Sequence, residues 1–105
     1  MVKIPNQIDG IIKQFLLEAT KLNIKISQAI LFGSYAKGTN REFSDIDVAI
    51  VSEDFIGDRI DDNQSLFYAK YKSSIDLETH PYRPEDFTED NPFVKEILEH
   101  GIRII

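Results

Sequence analysis

The segment DIDVAIVS, residues 45–52, constrains the fold more than any other stretch of this chain. Polar and apolar residues alternate at its start, and successive side chains of a β-strand point to opposite faces of a sheet. The alternation separates an apolar face from a face that begins with two carboxylates: Ile46, Val48 and Ile50 on the first, and Asp45, Asp47, Ala49 and Val51 on the second. The segment therefore predicts a strand with both acids on one side.

The preceding residues predict a helix, a strand and a short turn. Apolar residues recur at spacings of three and four over residues 7–22, which favours an amphipathic helix that ends at Asn23. Residues 25–32 predict a strand whose apolar AILF run is covered on both faces. Gly33 ends this strand, and Ser34 is expected to cap a helical turn over residues 35–37.

The segments after the central strand continue the alternation of helices and strands. Residues 61–72 predict a helix, and residues 74–80 predict a strand that ends at Pro81. Pro84 is expected in the first turn of a further helix. The period of two in the strand places three titratable residues on one face, namely Asp76, Glu78 and His80.

The C-terminal residues predict a last helix that opens at Asn91-Pro92 and a short strand over residues 102–105. Gly101 is expected to cap the helix. Three residues of this helix are predicted to face inward: Phe93, Ile97 and Leu98. The whole order predicts one α/β (α+β) domain over residues 1–105, with helices packed on a small mixed sheet.

Composition narrows the class of protein. The chain of 105 residues has room for one compact domain, and 42% apolar with 29% charged residues is typical of globular proteins. It contains no cysteine, no run long enough for a membrane span and no signal-peptide pattern, so a cytoplasmic location is expected. The net charge of −6 disfavours direct binding to nucleic acid.

Asp45 and Asp47 predict a metal site. Their carboxylates lie on one face about 7 Å apart along the strand, and they repel each other unless a cation lies between them. Mg²⁺ takes hard oxygen ligands and leaves positions for water and phosphates. The alternative interpretation of these two acids is a solvated strand end.

Gly33 and Ser34 predict a phosphate contact. Glycine lets backbone N–H groups approach a phosphate, and serine places a hydroxyl at the first turn of a helix, where the dipole favours anions. The alternative is an ordinary turn. A two-metal site for in-line displacement needs a third acid, for which Asp76 and Glu78 are the candidates, with simple surface exposure as their alternative.

Taken together, GSYAKG at residues 33–38, SDID at residues 44–47 and the C-terminal NPFVKEILEHGIRI resemble one known family. They are similar to the minimal nucleotidyltransferase (MNT) branch of the DNA polymerase β-type nucleotidyltransferases, whose loop reads Gly-Ser-x-Ala-x-Gly followed by Ser-Asp-Ile-Asp. The resemblance covers most of the chain and implies a polymerase β palm-like fold.

The resemblance also implies roles for individual residues. Gly33 and Ser34 would bind the triphosphate, and Asp45 and Asp47 would bind Mg²⁺. Lys37 lies in the same loop, where it either reaches a phosphate or remains a solvated lysine. Many relatives carry a stretch similar to LETHP on the third strand, which favours Glu78 over Asp76 as the third acid. This chain departs from them in carrying Thr79 where they have proline.

The function implied by the resemblance is Mg²⁺-dependent transfer of a nucleoside monophosphate, AMP from ATP, to a hydroxyl on a partner protein or small molecule. Relatives of this size work with a separate helical protein, often of the HEPN type, in two-gene modules that include toxin–antitoxin pairs. The alternatives are a binding module that neutralises its partner by contact and a nucleotide sensor. A homo-oligomer remains open.

Three further features receive a structural interpretation. His80 lies near the proposed site, and His100 lies near a predicted helix end; both are interpreted as structural residues. Phe67, Tyr68 and Tyr71 fall at helical spacing, which favours core and interface positions over a base-stacking surface.

Overall fold

The computed structural model describes residues 4–41 and 45–105. Its first element is helix α1, Asn6–Lys21, which confirms the predicted amphipathic helix. Asn23 follows with a φ of 62°, and the N–H of Ile24 donates to the carbonyl of Ala19 at 3.1 Å. This left-handed residue ends the helix and turns the chain toward the sheet.

Within the described residues, four strands form one mixed sheet with the order β3-β2-β1-β4. The strands are β1 (Ile26–Phe32), β2 (Ile46–Ser52), β3 (Leu77–Tyr82) and β4 (Ile102–Arg103). Strand β1 is antiparallel to β2 and to β4, whereas β2 and β3 are parallel. The predicted small mixed sheet is therefore confirmed.

The helices lie between these strands along the chain. The short helix α2 spans Ser34–Lys37, α3 spans Arg59–Ser73, and α4 spans Pro92–His100. The connection from β2 to the parallel strand β3 passes through α3, as parallel pairing requires a long crossover. No helix in the described part of the chain is long and apolar enough to cross a membrane.

The sheet divides the core into two clusters, as the alternation along β2 predicts. Helices α1 and α3 cover one face, where the cluster includes Phe15, Leu66 and the β2 residues Ile46, Val48 and Ile50. On the opposite face, Ala49 and Val51 pack with Phe87, Val94 and Ile97. Asp47 lies at one end of this face and keeps 27% of its side chain exposed.

The prediction that Pro81 ends the third strand is wrong, because β3 runs through Pro81 to Tyr82. In the part of the chain that the structure describes, β3 is an edge strand that pairs with β2 alone. A proline in an edge strand directs its missing N–H away from the neighbouring strand, so the ladder loses no hydrogen bond. Pro84 begins a single 3₁₀ turn, Pro84–Asp86, in place of the predicted helix.

Helix α4 differs from the prediction in which residues face inward. Val94 and Ile97 are buried, whereas Phe93 and Leu98 are 49% and 39% exposed. Gly101 is the C-cap of α4, as predicted, and its N–H donates to the carbonyl of Ile97 at 2.7 Å, but its φ of −76° is not left-handed. A Cβ at this position would lie 2.5 Å from Cγ2 of Ile30, so close packing is the reason for glycine.

Candidate active site

The end of β1 and the start of β2 lie side by side where these strands reach the same end of the sheet. Because β1 and β2 are antiparallel, Phe32 is paired with Asp47. Strand β3 is parallel to β2 on its other side, where Asp47 is paired with Glu78. Asp47 and Glu78 therefore lie near the ends of the neighbouring strands β2 and β3. The Gly33-Ser34 turn follows β1 at the same end of the sheet.

Gly33 lies directly against Asp47. Its φ of 76° is in the left-handed region, and a Cβ built on it would lie 2.5 Å from Oδ2 of Asp47. Glycine is needed here for both backbone conformation and close approach. Ser34 does not cap α2 as expected: Gly33 is the N-cap, and Ser34 is the first helical residue, with its carbonyl accepting the N–H of Thr39 at 2.9 Å.

Asp47 has a contact that the sequence interpretation missed. The Nε2 atom of His80 lies 3.3 Å from Oδ1 of Asp47, and the His80 side chain is 16% exposed. The imidazole packs edge-on against Phe32, with ring centroids 4.8 Å apart. The available signal was that His80 follows Glu78 by two residues and so shares its face of the strand.

The other predicted ligands are less closely grouped. Asp45 is exposed and comes just before β2. Asp76 comes just before β3, and its backbone carbonyl accepts the N–H of Ile46 at 2.9 Å. Both side chains are exposed. In register the structure pairs Glu78, whose side chain is also exposed, with Asp47, whereas Asp45 comes before the strand.

Lys37 points toward helix α4. Its Nζ atom lies 3.5 Å from Oε1 of Glu96, and each side chain is more than half exposed. An exposed ion pair of this kind is worth at most about 1 kcal/mol. The lysine is thus held only weakly in its present position.

The donor atoms at this end of the sheet match a hard divalent cation, since Asp45, Asp47 and Glu78 all offer carboxylate oxygens. Within residues 4–41 and 45–105, however, no group of three His, Asp or Glu side chains is close enough to hold a metal ion. The donor chemistry fits Mg²⁺, while the described geometry pairs only Asp47 with Glu78. Ser44 of the SDID motif lies outside the described residues.

A cavity of about 440 Å³ opens beside His80. Its lining includes Arg59, His80, Tyr82, Arg83, Asp86 and Phe93. Arg83 donates to both carboxylate oxygens of Asp86, at 2.7 Å and 3.2 Å, and this hydrogen bonding lowers the pKa of Asp86. Burial raises the pKa of the Tyr82 phenol, and the nearby charge of Arg59 opposes this shift.

The remaining aromatic residues and His100 lie away from this end of the sheet. Phe67, Tyr68 and Tyr71 are 65%, 52% and 74% exposed, so the core part of their interpretation is wrong. His100, in the last turn of α4, is exposed and lies 3.8 Å from Glu96. This position agrees with its interpretation as a structural residue at a helix C-terminus.

Comparison with known proteins identifies the family. The model of the family described as Polymerase beta, Nucleotidyltransferase matches residues 12–105. A Methanocaldococcus jannaschii chain described as a putative protein adenylyltransferase is 30% identical over 105 residues, covering 93% of this chain and 71% of that protein.

Two solved structures share the fold. A toxin–antitoxin crystal structure with AMP-PNP superposes with a TM-score of 0.59 at 22% identity, over 96% of this chain and 73% of that chain. A putative nucleotidyltransferase from Sulfolobus solfataricus superposes with a TM-score of 0.56 at 17% identity, over 98% of this chain and 89% of that one. The palm-like fold expected from the sequence is confirmed, and the chain belongs to the polymerase beta nucleotidyltransferase family.

Proposed function

We propose that this nucleotidyltransferase transfers AMP from ATP to a hydroxyl group of a partner protein, with Mg²⁺ held by Asp45, Asp47 and Glu78. The observation that carries the proposal is the pairing of Asp47 with Glu78 on neighbouring strands, with Gly33 packed against Asp47. The register of these strands and the close approach of Gly33 to Asp47 support a metal-bound phosphate at this turn.

Gly33 and Ser34 are proposed to bind the triphosphate. The acceptor oxygen attacks the α-phosphorus and forms a new P–O bond, while the bond between the α-phosphorus and the bridging oxygen breaks. Pyrophosphate leaves with that electron pair, and the hydroxyl proton is released to solvent. Lys37 can turn from Glu96 to the triphosphate, because the ion pair that holds it is exposed and weak.

Bound Mg²⁺ would neutralise charge on the phosphates and activate the attacking hydroxyl. The three acids are not gathered into a metal-binding group in the described residues. We therefore expect the metal-bound nucleotide to draw Asp45 toward Asp47 and Glu78, since mutual repulsion keeps carboxylates apart in the absence of a cation.

The relatives support the choice of ATP and of a protein acceptor. The Methanocaldococcus jannaschii relative is named as a protein adenylyltransferase, and one solved structure combines a toxin–antitoxin with AMP-PNP. We propose that this chain likewise works in the cytoplasm with a helical, HEPN-type protein in an antitoxin-like module. The exposed apolar side chains of Ile60, Phe67 and Tyr71 on α3 give such a partner a surface to contact.

The decisive experiment follows label from α-labelled ATP in the presence of Mg²⁺. Wild type and Asp47→Asn are compared with and without the helical protein that the two-gene interpretation places beside this chain. We expect label on that partner, with a loss of at least about 100-fold in the variant, similar to losses on removing a group that stabilises transition-state charge.

The second candidate is a module that neutralises its partner by contact, without chemistry. The exposed aromatic residues of α3 and the ungathered acids favour it. A tight complex that carries no label in wild type would establish this second function and exclude transfer. Metal-dependent ATP binding with neither label nor complex would instead indicate a nucleotide sensor.

A further inference from the structure

The cavity beside His80 lies outside every role assigned so far. It is formed by the end of β3, the 3₁₀ turn after it and the start of α4. His80 is shared by the cavity and the proposed active site, because its Nε2 contacts Asp47. A volume of about 440 Å³ falls within the range of ligand pockets, roughly 300–1,000 Å³.

The order of the strands indicates which of the two reactants would lie nearer this cavity. Gly33 follows β1 on one side of Asp47, whereas the cavity follows Glu78 along β3 on the other side. In phosphoryl transfer the attacking and leaving oxygens lie roughly in line through the phosphorus. If the triphosphate occupies the Gly33 side, the attacking hydroxyl arrives from the side of the cavity.

The charges of the lining favour an acidic ligand. Arg83 is neutralised by Asp86, to which it donates two hydrogen bonds. Arg59 begins α3 with an exposed side chain, and among the described residues no carboxylate lies within ion-pair distance of it. Glu85 also lies 4.0 Å from Arg83, so Arg59 is the lining cation that forms no ion pair among the described residues, in a protein of net charge −6.

The lining is also partly aromatic. The rings of Tyr82 and Phe93 form part of its wall, and Gly57 lies so close to Arg83 that a Cβ there would be 2.7 Å from Nε. Gly57 has a φ of 91°, and its lack of a Cβ leaves room for the guanidinium of Arg83. The wall can thus accept the aliphatic or aromatic part of a side chain as well as its charge.

We propose that this cavity binds the acceptor, an acidic segment of a protein that carries the reacting hydroxyl, with a carboxylate of that segment paired to Arg59. This inference rests on the proposed function, because it assumes that the triphosphate binds at Gly33 and Ser34. It adds the acceptor's location and its chemical class.

The test measures binding apart from chemistry. Two short fluorescent peptides serve as probes, each with a central serine, flanked by glutamates in one and by lysines in the other. Their binding to the whole chain is measured by fluorescence anisotropy at low ionic strength, with Mg²⁺ and α,β-methylene-ATP present. This analogue has a P–C–P bridge in place of the bond that breaks, so no transfer can occur.

Three variants test whether the charge of the cavity lining determines its affinity for the glutamate peptide. Arg59→Glu is expected to lower affinity for the glutamate peptide by at least about five-fold, since it replaces an attraction with a repulsion. Asp86→Asn removes a carboxylate from the lining and is expected to raise that affinity about two- to five-fold. Arg103→Glu, on β4 at the opposite edge of the sheet, is the matched control and should change it by less than about two-fold.

A gain on Asp86→Asn cannot arise from misfolding, so it supports the proposal independently of the losses. Failure of wild type to bind the glutamate peptide, a preference for the lysine peptide, or equal effects of Arg59→Glu and Arg103→Glu would each overturn it. Weaker binding of the ATP analogue to Arg59→Glu, with peptide binding intact, would assign the cavity to the nucleotide. If the peptide binds through Arg59 but no label is ever transferred, the proposed function fails while the acidic-segment site stands.

Discussion

His80 reaches diagonally across the sheet to Asp47. The paired residues are Asp47 with Glu78 and Ala49 with His80, yet Nε2 of His80 lies 3.3 Å from Oδ1 of Asp47. Phe32 and Phe93 pack around the imidazole, with ring centroids 4.8 Å and 6.3 Å from it. The aromatic contacts hold the imidazole in place, and the imidazole in turn orients the carboxylate.

Replacing His80 by Phe is therefore expected to weaken metal binding and catalysis while preserving the packing of the ring. Loss of a partner that orients a metal ligand commonly costs about 10–100-fold in metal affinity or activity. Mn²⁺ titration followed by paramagnetic resonance measures the affinity, and label transfer measures the activity. His100→Phe, on the exposed end of α4, is the control; equal metal affinities in both variants would show that His80 is only a packing residue.

Glu78 and Asp76 can be separated by substitutions that remove one charge each. Both side chains are exposed, but Glu78 is paired with Asp47 in register, whereas Asp76 precedes β3. We expect Glu78→Gln to reduce label transfer by about 100-fold or more, and Asp76→Asn by less than about three-fold, because only a carboxylate close to the reacting phosphate stabilises its charge. The opposite ranking of the two rates would make Asp76 the third acid.

Gly33 is predicted to matter for both stability and activity. Alanine at a φ of 76° costs about 1–2 kcal/mol, and its Cβ would displace the Asp47 carboxylate. Gly33→Ala should therefore lose transfer activity even under conditions where the variant is fully folded. Urea unfolding gives the free energy of unfolding, and label transfer gives the activity.

Gly10 offers the matched control for Gly33. It lies within α1, and nothing lies within 4 Å of a Cβ built on it. Gly10→Ala is expected to raise the free energy of unfolding by about 0.5–1 kcal/mol and to leave transfer unchanged. If Gly33→Ala remained as active as Gly10→Ala, close contact between Gly33 and Asp47 would not be required.

Asp62 is expected to be a stabilising residue of the loop that borders the cavity. Its buried carboxylate accepts the N–H groups of Ile56 and Gly57, each at 2.9 Å. Asp62→Ala leaves both donors without this acceptor and should lower the free energy of unfolding by about 2–3 kcal/mol. Its exposed neighbour provides the comparison: Asp61→Ala should cost about 0.5 kcal/mol or less in the same urea titration.

Much of the fold follows from local patterns. The spacing of apolar residues predicts α1, and the alternation along residues 45–52 correctly divides β2 between two core clusters. The features that the sequence did not predict depend on contacts with segments distant along the chain. Pro81 continues β3 because, among the described residues, that strand has a free edge. Gly101 caps α4 as predicted, but the close packing of Ile97 and Ile30 around it could not be predicted from the sequence.

In the candidate site, too, some features follow from local sequence patterns and others depend on tertiary contacts. Its acids are predictable because a D-x-D pattern on a strand and a Gly-Ser turn are local features of the chain. The contact between His80 and Asp47 and the exposure of Phe67 are not, since both depend on which strand or helix lies alongside. The spacing of a residue along the chain determines which face of a helix or strand it occupies. Its tertiary contacts determine what the side chain does there.

The sequence by itself determined the order of helices and strands and the resemblance to a nucleotidyltransferase family, because each depends on residues close together along the chain. The shared face of Asp45 and Asp47 stays a prediction, since Asp45 comes before β2. Tertiary structure alone decided the pairing of Asp47 with Glu78 and the cavity beside His80. These depend on strand order and register, which the packing of distant segments sets.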